Sequence, residues 1–508
     1  VAVMLPLADD AGFPARADAR LAAARLDAVA ARWRERLNRV GLSLPLAAQP
    51  LHDTLRSALA QILMSRDGAA LQPGTRSYAR SWVRDGAMMV AGLLRLGETD
   101  AAREFVRWYA GKLFTSGKVP CCVDARGADP VAENDSAGEF IFAVAEVWRH
   151  TRDPALAEML WPQVDAAARY MEGLRQSERT PAQQGRATWG LMPASISHEG
   201  YSAKPMHSYW DDFWALAGWR DAARLARALG HDERAAELER QRDEFRRDLA
   251  ASLAATVAAH RIDFLPGAAE LGDFDPSSSA IVFSPAGTED LVPHALLEST
   301  WQRWWREGVA RRDGARAWND YTPYELRSVS ALLRLGHPDR AFSMLDFFLH
   351  DQRPAGWNQW AEVVGRDARE PRFVGDMPHA WIASDAIRSV LDLLAYERDA
   401  DGALVLGAGV PEAWWRAAPV EAHGLGTAWG PLDFRLALET SRHDTPVMHV
   451  TVGAGLERPP GGVWLAWTGA GAPPAHGADG APLHWQGTLL RLPDGAVDLR
   501  LALGNERR

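Results

Sequence analysis

From Leu51 to about Tyr396 apolar residues recur at intervals of three and four, and glycine or proline cuts the pattern into helical lengths. The period predicts twelve helices: Leu51–Arg66, Gly86–Leu96, Asp100–Phe114, Ser136–Thr151, Pro154–Leu174, Tyr209–Leu229, Asp232–Ala259, Ser277–Phe283, Asp290–Gly308, Pro323–Leu335, Pro338–Leu349 and Pro378–Tyr396. Several neighbours share a short hinge, as at Leu96-Gly97-Glu98-Thr99-Asp100, His150-Thr151-Arg152-Asp153-Pro154, Leu229-Gly230-His231-Asp232 and Leu335-Gly336-His337-Pro338-Asp339. In each, one helix end runs into a turn and a new cap or first-turn proline. Long loops rich in aromatic and polar residues separate the other pairs. Tight turns alternating with long loops predict a mainly α fold, an (α/α)6 toroid with its turns at one end and a loop-built pocket at the other. A solenoid of helical hairpins is the rival, but no sequence repeats at a fixed period.

The pattern changes at both ends. Ala17 to Val40 reads as one amphipathic Ala/Arg/Leu helix closed by Gly41 and Pro45, so residues 1–50 are expected to be a linker or packing helix. Residues 51–400 are the expected barrel. After about Asp401 the period shortens to two, in Leu432–Leu438, Pro446–Val452, Val463–Trp467, Thr488–Leu492 and Ala496–Leu503, with Gly/Pro turns between. Residues 401–508 are therefore expected to form a small C-terminal β-sandwich, with 469–482 as a loop.

Composition narrows the function. The 508 residues are 47% apolar and 24% charged, enough for a large core, with a net charge of −10 and no Lys/Arg-rich run. That argues against nucleic-acid or anionic-membrane partners and for a neutral one. No stretch of about 18 apolar residues exists to span a membrane. The N-terminal Val-Ala-Val-Met-Leu-Pro-Leu lacks a basic segment leading into an apolar one, which favours a cytoplasmic location. A start at valine also suits a chain processed or cut from a longer one. The two cysteines, Cys121 and Cys122, are adjacent, give no disulfide framework and have no Cys or His at ligand spacing; neither metal nor cofactor is expected. The 22 tryptophans outnumber both the 8 tyrosines and the 15 phenylalanines. Sugar binding uses such an excess, because indole faces cover the apolar faces of a pyranose.

Two segments combine tryptophans with carboxylates: Tyr209-Trp210-Asp211-Asp212-Phe213-Trp214, and Trp357-Asn358-Gln359-Trp360-Ala361-Glu362. They lie about 150 residues apart. Two separated carboxyls among indoles suit glycoside cleavage, one protonating the departing oxygen and the other activating water. Each alone also suits a helix start, with an acid at the positive dipole end. Further polar–aromatic clusters at helix edges are Trp82-Val83-Arg84-Asp85, Glu133-Asn134-Asp135 and Asp320-Tyr321-Thr322-Pro323-Tyr324-Glu325. In the first, a guanidinium fork beside a carboxylate can hold two vicinal hydroxyls.

Here the chain resembles the six-hairpin glycosidases, of the glucoamylase, trehalase and α-L-rhamnosidase type. Ser81-Trp82-Val83-Arg84-Asp85-Gly86-Ala87 is similar to the glucoamylase Trp-x-Arg-Asp-x-Ala segment, where the Arg–Asp pair grips the sugar. Glu133-Asn134-Asp135-Ser136 resembles the substrate-contacting turn before the next inner helix, though it also reads as a helix cap. Trp210-Asp211-Asp212 falls where the family places its general acid. The resemblance makes Asp211 the acid and Asp212 a hydroxyl-binding neighbour, since adjacent helical side chains diverge by about 100°. Trp360-Ala361-Glu362 resembles the segment supplying the base, and Pro378-His379-Ala380-Trp381 the start of the final inner helix. Tyr324, Glu325, Trp357, Trp360, His379 and Trp381 are then expected around the sugar; His198 and His207 read as loop or core histidines. The resemblance also implies that residues 1–50 match the linker that follows an N-terminal β-domain in related bacterial proteins.

The expected function is an inverting glycoside hydrolase with Asp211 as acid and Glu362 as base. A glycoside phosphorylase of the same fold would need a phosphate cradle instead of the base. A non-catalytic glycan-binding protein would not bring the two carboxyls together.

Overall fold

The computed structural model describes residues 18–198, 200–367, 374–439, 446–469, 471–477 and 480–503. Among them the α-helices are α1 (Ala19–Leu37), α2 (Gln49–Met64), α3 (Val83–Arg95), α4 (Thr99–Ala110), α5 (Ser136–Thr151), α6 (Pro154–Ser177), α7 (Tyr209–Ala228), α8 (Asp232–His260), α9 (Pro276–Ser279), α10 (His294–Arg312), α11 (Arg327–Arg334), α12 (Pro338–His350), α13 (Ala380–Leu394) and α14 (Glu412–Ala417). Helices α3, α5, α7, α9, α11 and α13 each pack on the next, and α13 returns to α3, so they close a ring. Helices α2, α4, α6, α8, α10 and α12 pack around it. The fold is mainly α, a toroid of twelve helices with a separate β region.

Burial explains which helices are inner. From Val83 to Leu94 every residue of α3 is buried, as is every residue of α13. Helix α8 instead buries only a stripe that includes Ala235, Leu238, Phe245, Leu249 and Leu253. Two glycines allow a close crossing of α5 and α7: a Cβ on Gly138 would lie 2.2 Å from the Trp214 carbonyl, and one on Gly218 would lie 2.9 Å from Gly138 Cα. Larger residues there would push α5 off α7.

Two expected inner helices are shorter than their apolar runs. Ser277–Phe283 is the single turn α9 followed by a 3-10 turn at Ala280–Val282, stopped by Pro285. Pro323–Leu335 opens as a 3-10 turn, Pro323–Leu326, before α11.

The β region holds two five-stranded sheets. The first orders the strands Gly41–Ser43, Val420–Thr427, Gly430–Glu439, Val447–Val452 and Val497–Ala502, all antiparallel. Residues 41–43 of the expected linker are thus an edge strand of the C-terminal sheet. The second sheet leaves α13 directly through Ala395–Arg398 and Ala403–Leu406, then adds Val463–Ala466, Leu489–Arg491 and Trp485–Gln486. Strands Val420–Thr427, Ala395–Arg398 and Ala403–Leu406 lie outside the period-2 runs.

At the C-terminal ends of the inner helices, arginines meet carboxylates. Arg95 pairs with Asp392 at 2.6 Å, Arg149 with both Glu146 and Glu397 at 2.5 Å, and Arg334 with Asp392 at 3.4 Å. Cations suit the negative ends of helix dipoles. The β region seals this end: Arg152 donates to the Ala428 carbonyl at 2.8 Å, and the Ala428 N–H donates to Glu397 at 2.8 Å.

Candidate active site

At the other end, the inner-helix N-termini and the long loops enclose a cavity of about 240 Å³. Its wall comprises Pro73, Tyr78, Trp82, Arg84, Asp85, His198, Asp275, Ser277, Ser278, Thr322, Tyr324, Arg327, Glu362, His379 and Trp381. Of the residues expected from sequence, the structure gathers Trp82, Arg84, Asp85, Tyr324, Glu362, His379 and Trp381 here.

Glu362 is held by hydroxyls. Tyr324 donates to its Oε1 at 3.1 Å and Tyr78 donates to its Oε2. His379 caps α13, its Nδ1 accepting from the Ile382 N–H at 3.4 Å. The ring proton therefore sits on Nε2, 3.9 Å from Glu362 Oε2. Burial drops the His379 pKa to about 3, so the ring is neutral at ordinary pH. Gly375, with φ +68°, lets the chain pass the carboxylate; a Cβ there would lie 2.8 Å from Glu362 Oε2. The next residue, Asp376, accepts from the backbone N–H groups of Arg76, Ser77 and Tyr78 at 2.8, 3.1 and 3.1 Å, latching the Tyr78 loop to the Glu362 loop.

Two buried arginines face the cavity. Arg84 donates to Glu133 at 2.5 Å and lies 3.6 Å from Asp135 and 3.9 Å from Asp85. Burial opposes its charge, but these three carboxylates hold its pKa well above the ordinary value. Arg327 donates through Nε to Asp385 at 2.9 Å and lies over Trp210, Tyr324 and Trp381 at 5.3, 4.7 and 4.9 Å. Both guanidiniums are thus neutralised and flanked by aromatic faces.

Asp275 caps α9, accepting from the Ser278 N–H at 3.1 Å and the Ser278 hydroxyl at 2.7 Å. Burial raises its pKa despite these bonds. His198 bonds Ser278, lies 3.6 Å from Asp275 and stacks on Trp210 at 5.1 Å. Burial, then Arg84 and Arg327, lowers its pKa well below the ordinary value, so the imidazole is neutral.

The remaining expected residues lie elsewhere. Asp211 is fully buried and is not among the wall residues; Ser195 and Ser197 donate to its two oxygens at 2.6 and 2.7 Å. Burial and nearby Asp135 raise its pKa well above the carboxylate range. Asp212 is equally buried, accepts from the Met192 N–H at 2.9 Å and is pushed up to about 7 by burial. Asp211 and Glu362 therefore do not share the cavity surface, because α7 turns its first-turn carboxyls toward the 191–197 loop. Trp210 and Asp135 stand behind the wall, joined by an indole N–H donating at 2.8 Å. Asn134 donates to the Pro193 carbonyl at 2.7 Å. Trp360 is buried, donating to the Phe348 carbonyl at 2.8 Å, while Trp357 is 64% exposed. Glu325 binds Arg311 and faces a neighbouring cavity. His207 pairs with Glu270 at 2.5 Å, away from the cavity wall.

Pattern reading missed Tyr78, His198, Asp275, Ser277, Ser278, Thr322 and Arg327 as wall residues. For Arg327 a signal existed: it lies three residues after Tyr324, on the same helical face.

Among the described residues one group could hold a cation: Cys121, Cys122 and Asp129, whose ligand atoms lie within 4.8 Å of one another. The Cys121 thiol is pushed up by its hydrogen bond with Cys122 and by burial, and Asp129 is engaged by Arg80 at 2.5 Å. A protonated thiol beside an occupied carboxylate is a poor ligand set. No described helix is long and apolar enough to cross a membrane.

No family signature and no curated relative matches the sequence. Solved structures share the fold. The α-L-rhamnosidase from Dictyoglumus thermophilum superposes with a TM-score of 0.61 at 8% identity, covering 91% of this chain and 49% of that one. The GH78 family rhamnosidase of Bacillus sp. GL1 gives 0.57 at 14% identity, covering 79% and 40%. The Streptomyces avermitilis α-L-rhamnosidase, complexed with L-rhamnose, gives 0.52 at 16%, covering 92% and 41%. The chain spans less than half the length of each. The fold is one that glycoside hydrolases use.

Proposed function

We propose that the protein is a glycoside hydrolase that removes a terminal neutral sugar with inversion of configuration. Glu362 is the base that deprotonates water, and Asp275 is the acid that protonates the leaving oxygen. The observation that carries the reading is the cavity itself. It holds Glu362, oriented by two tyrosine hydroxyls, and a second carboxyl whose pKa is raised by burial, among Trp82, Tyr324 and Trp381. A raised acid and an oriented base are the pair that glycoside hydrolysis needs. Asp211, the candidate from sequence, is buried and not among the wall residues, whereas Asp275 lies on the wall, which favours Asp275. Arg84 and Asp85 are placed to bind sugar hydroxyls.

The phosphorylase alternative would use Arg84 and Arg327 for phosphate, but each is already paired with carboxylates, so neither of these described wall residues is a free cation. The fold likeness to rhamnosidases makes α-L-rhamnosides the first substrates to try. The deciding experiment incubates the protein with a panel of α- and β-glycosides, with and without phosphate, and follows the first-formed anomer by NMR. The inverted anomer without phosphate is expected. The retained anomer removes the assigned mechanism; a phosphate requirement favours the phosphorylase; binding without cleavage leaves a lectin.

A further inference from the structure

A second cavity of about 600 Å³ opens beside the first, and Ser277 and Thr322 line both. The segment between them is the one that carries Asp275: this residue faces the smaller cavity, while Pro276 and Ser277 face the larger. The acid must meet the glycosidic oxygen on its leaving-group side. If Asp275 is that acid, the departing portion of the substrate passes Ser277 and Thr322 and enters the second cavity.

Its chemistry suits a saccharide. Trp318 is half-buried and meets Tyr321 edge-on at 5.8 Å, leaving an indole surface toward the cavity. Four of the five charged side chains there form two pairs, Arg311 binding Glu325 through two bonds of 2.8 and 2.7 Å and Arg316 binding Glu307 at 2.7 Å; Asp320 is the fifth. Trp304 also donates to Glu325 at 3.0 Å. A surface dominated by compensated ion pairs and aromatic rings offers hydrogen bonds with little net charge, which favours a polyhydroxylated neutral ligand over an anionic one.

We propose that this second cavity is the leaving-group subsite, and that the substrate is an oligosaccharide whose portion beyond the scissile bond is at least one further neutral sugar. The proposal rests on the hydrolase reading and on Asp275 as its acid. Trp318 is then a specificity-determining residue.

The test compares two substrates of the same terminal sugar: the glycosyl fluoride, whose leaving group fills none of the second cavity, and a disaccharide or trisaccharide, whose leaving group fills it. For Trp318→Ala the ratio of kcat/KM for the saccharide to kcat/KM for the fluoride is expected to fall ten-fold or more, and Trp318→Phe to restore part of it. An unchanged ratio overturns the proposal, whether both rates fall together or neither moves. If the unaltered protein cleaves neither substrate, the hydrolase reading itself fails. The cavity is then read by saturation-transfer NMR with the same saccharide, where equal binding by the unaltered protein and Trp318→Ala overturns it too.

Discussion

The same six inner helices end in two different chemistries. At their C-terminal floor, two buried carboxylates sit among arginines: Asp392 is shared by Arg95 and Arg334, and Asp399 lies 3.2 Å from Arg224 and 3.9 Å from Arg220. Burial works against both carboxylates, yet the arginines around them lower their pKa values. At the N-terminal mouth, Glu139, Asp211, Asp212 and Asp275 are all raised, burial being the largest cause in each. Depth does not separate the two ends; compensation does. An acid next to arginines stays charged and structural, whereas an acid buried with hydroxyls and rings holds its proton and can lend it.

The contrast breaks most visibly at the floor. Asp392→Asn removes the carboxylate that Arg95 and Arg334 share in a largely buried site and is expected to cost about 3 kcal/mol, as when one partner of a buried pair is removed. Urea unfolding measures this, and turnover per folded molecule is expected to hold.

At the mouth the effects reverse, with activity falling and stability spared. Glu362→Gln is expected to lower kcat at least about 100-fold with little change in Tm, in line with the loss of a general base. Asp275→Asn is expected to do the same on saccharides and much less on a glycosyl fluoride, which leaves without a proton. Asp211→Asn is expected to change kcat less than about ten-fold; a larger loss there than in Asp275→Asn would return the acid to Asp211.

Asp212 sharpens the comparison through pH. Its folded pKa of about 7 lies above the ordinary carboxylate value, so the folded state holds the proton more tightly than the unfolded one. Stability therefore falls as pH climbs from near 4 through 7. Asp212→Asn is expected to stabilise the fold by about 2 kcal/mol or more at pH 8, a gain that fades toward pH 4, as urea midpoints across that range would record.

The smallest change is Tyr324→Phe, which removes one of the two hydroxyls on Glu362. It is expected to cut kcat/KM about ten-fold, the scale of one hydrogen bond to a charged group. Steady-state kinetics at matched folded fraction checks it.

Much of the ring was legible because inner and outer helices both carry the 3.6 period and their hinges carry glycine and proline. The site was half legible. Arg84, Asp85, Tyr324, Glu362, His379 and Trp381 lie at inner-helix starts or beside aromatics, where pattern and chemistry coincide. Asp211 was expected on the cavity wall but lies behind it, because the motif marks a helix start and not which way its first turn faces; Ser195 and Ser197, set by a loop, hold it there. Asp275 was missed although the run Ser277–Phe283 stood out as helical. In a toroid every inner-helix start borders the mouth, and Asp275 precedes one. Tyr78 and His198 come from irregular loops, whose course depends on contacts distant in sequence, such as the Asp376 latch.

That latch has a consequence for assembly. It joins residues 76–78, just before the first inner helix, to residue 376, just before the last, across about 300 positions. The two meet at the seam where the circle is completed. A chain with one helical pair undocked keeps most of its core yet has Glu362 without Tyr78, so turnover is a gauge of whether the seam is shut. Proteolytic nicking near the seam should silence the protein well before circular dichroism registers a loss of helix.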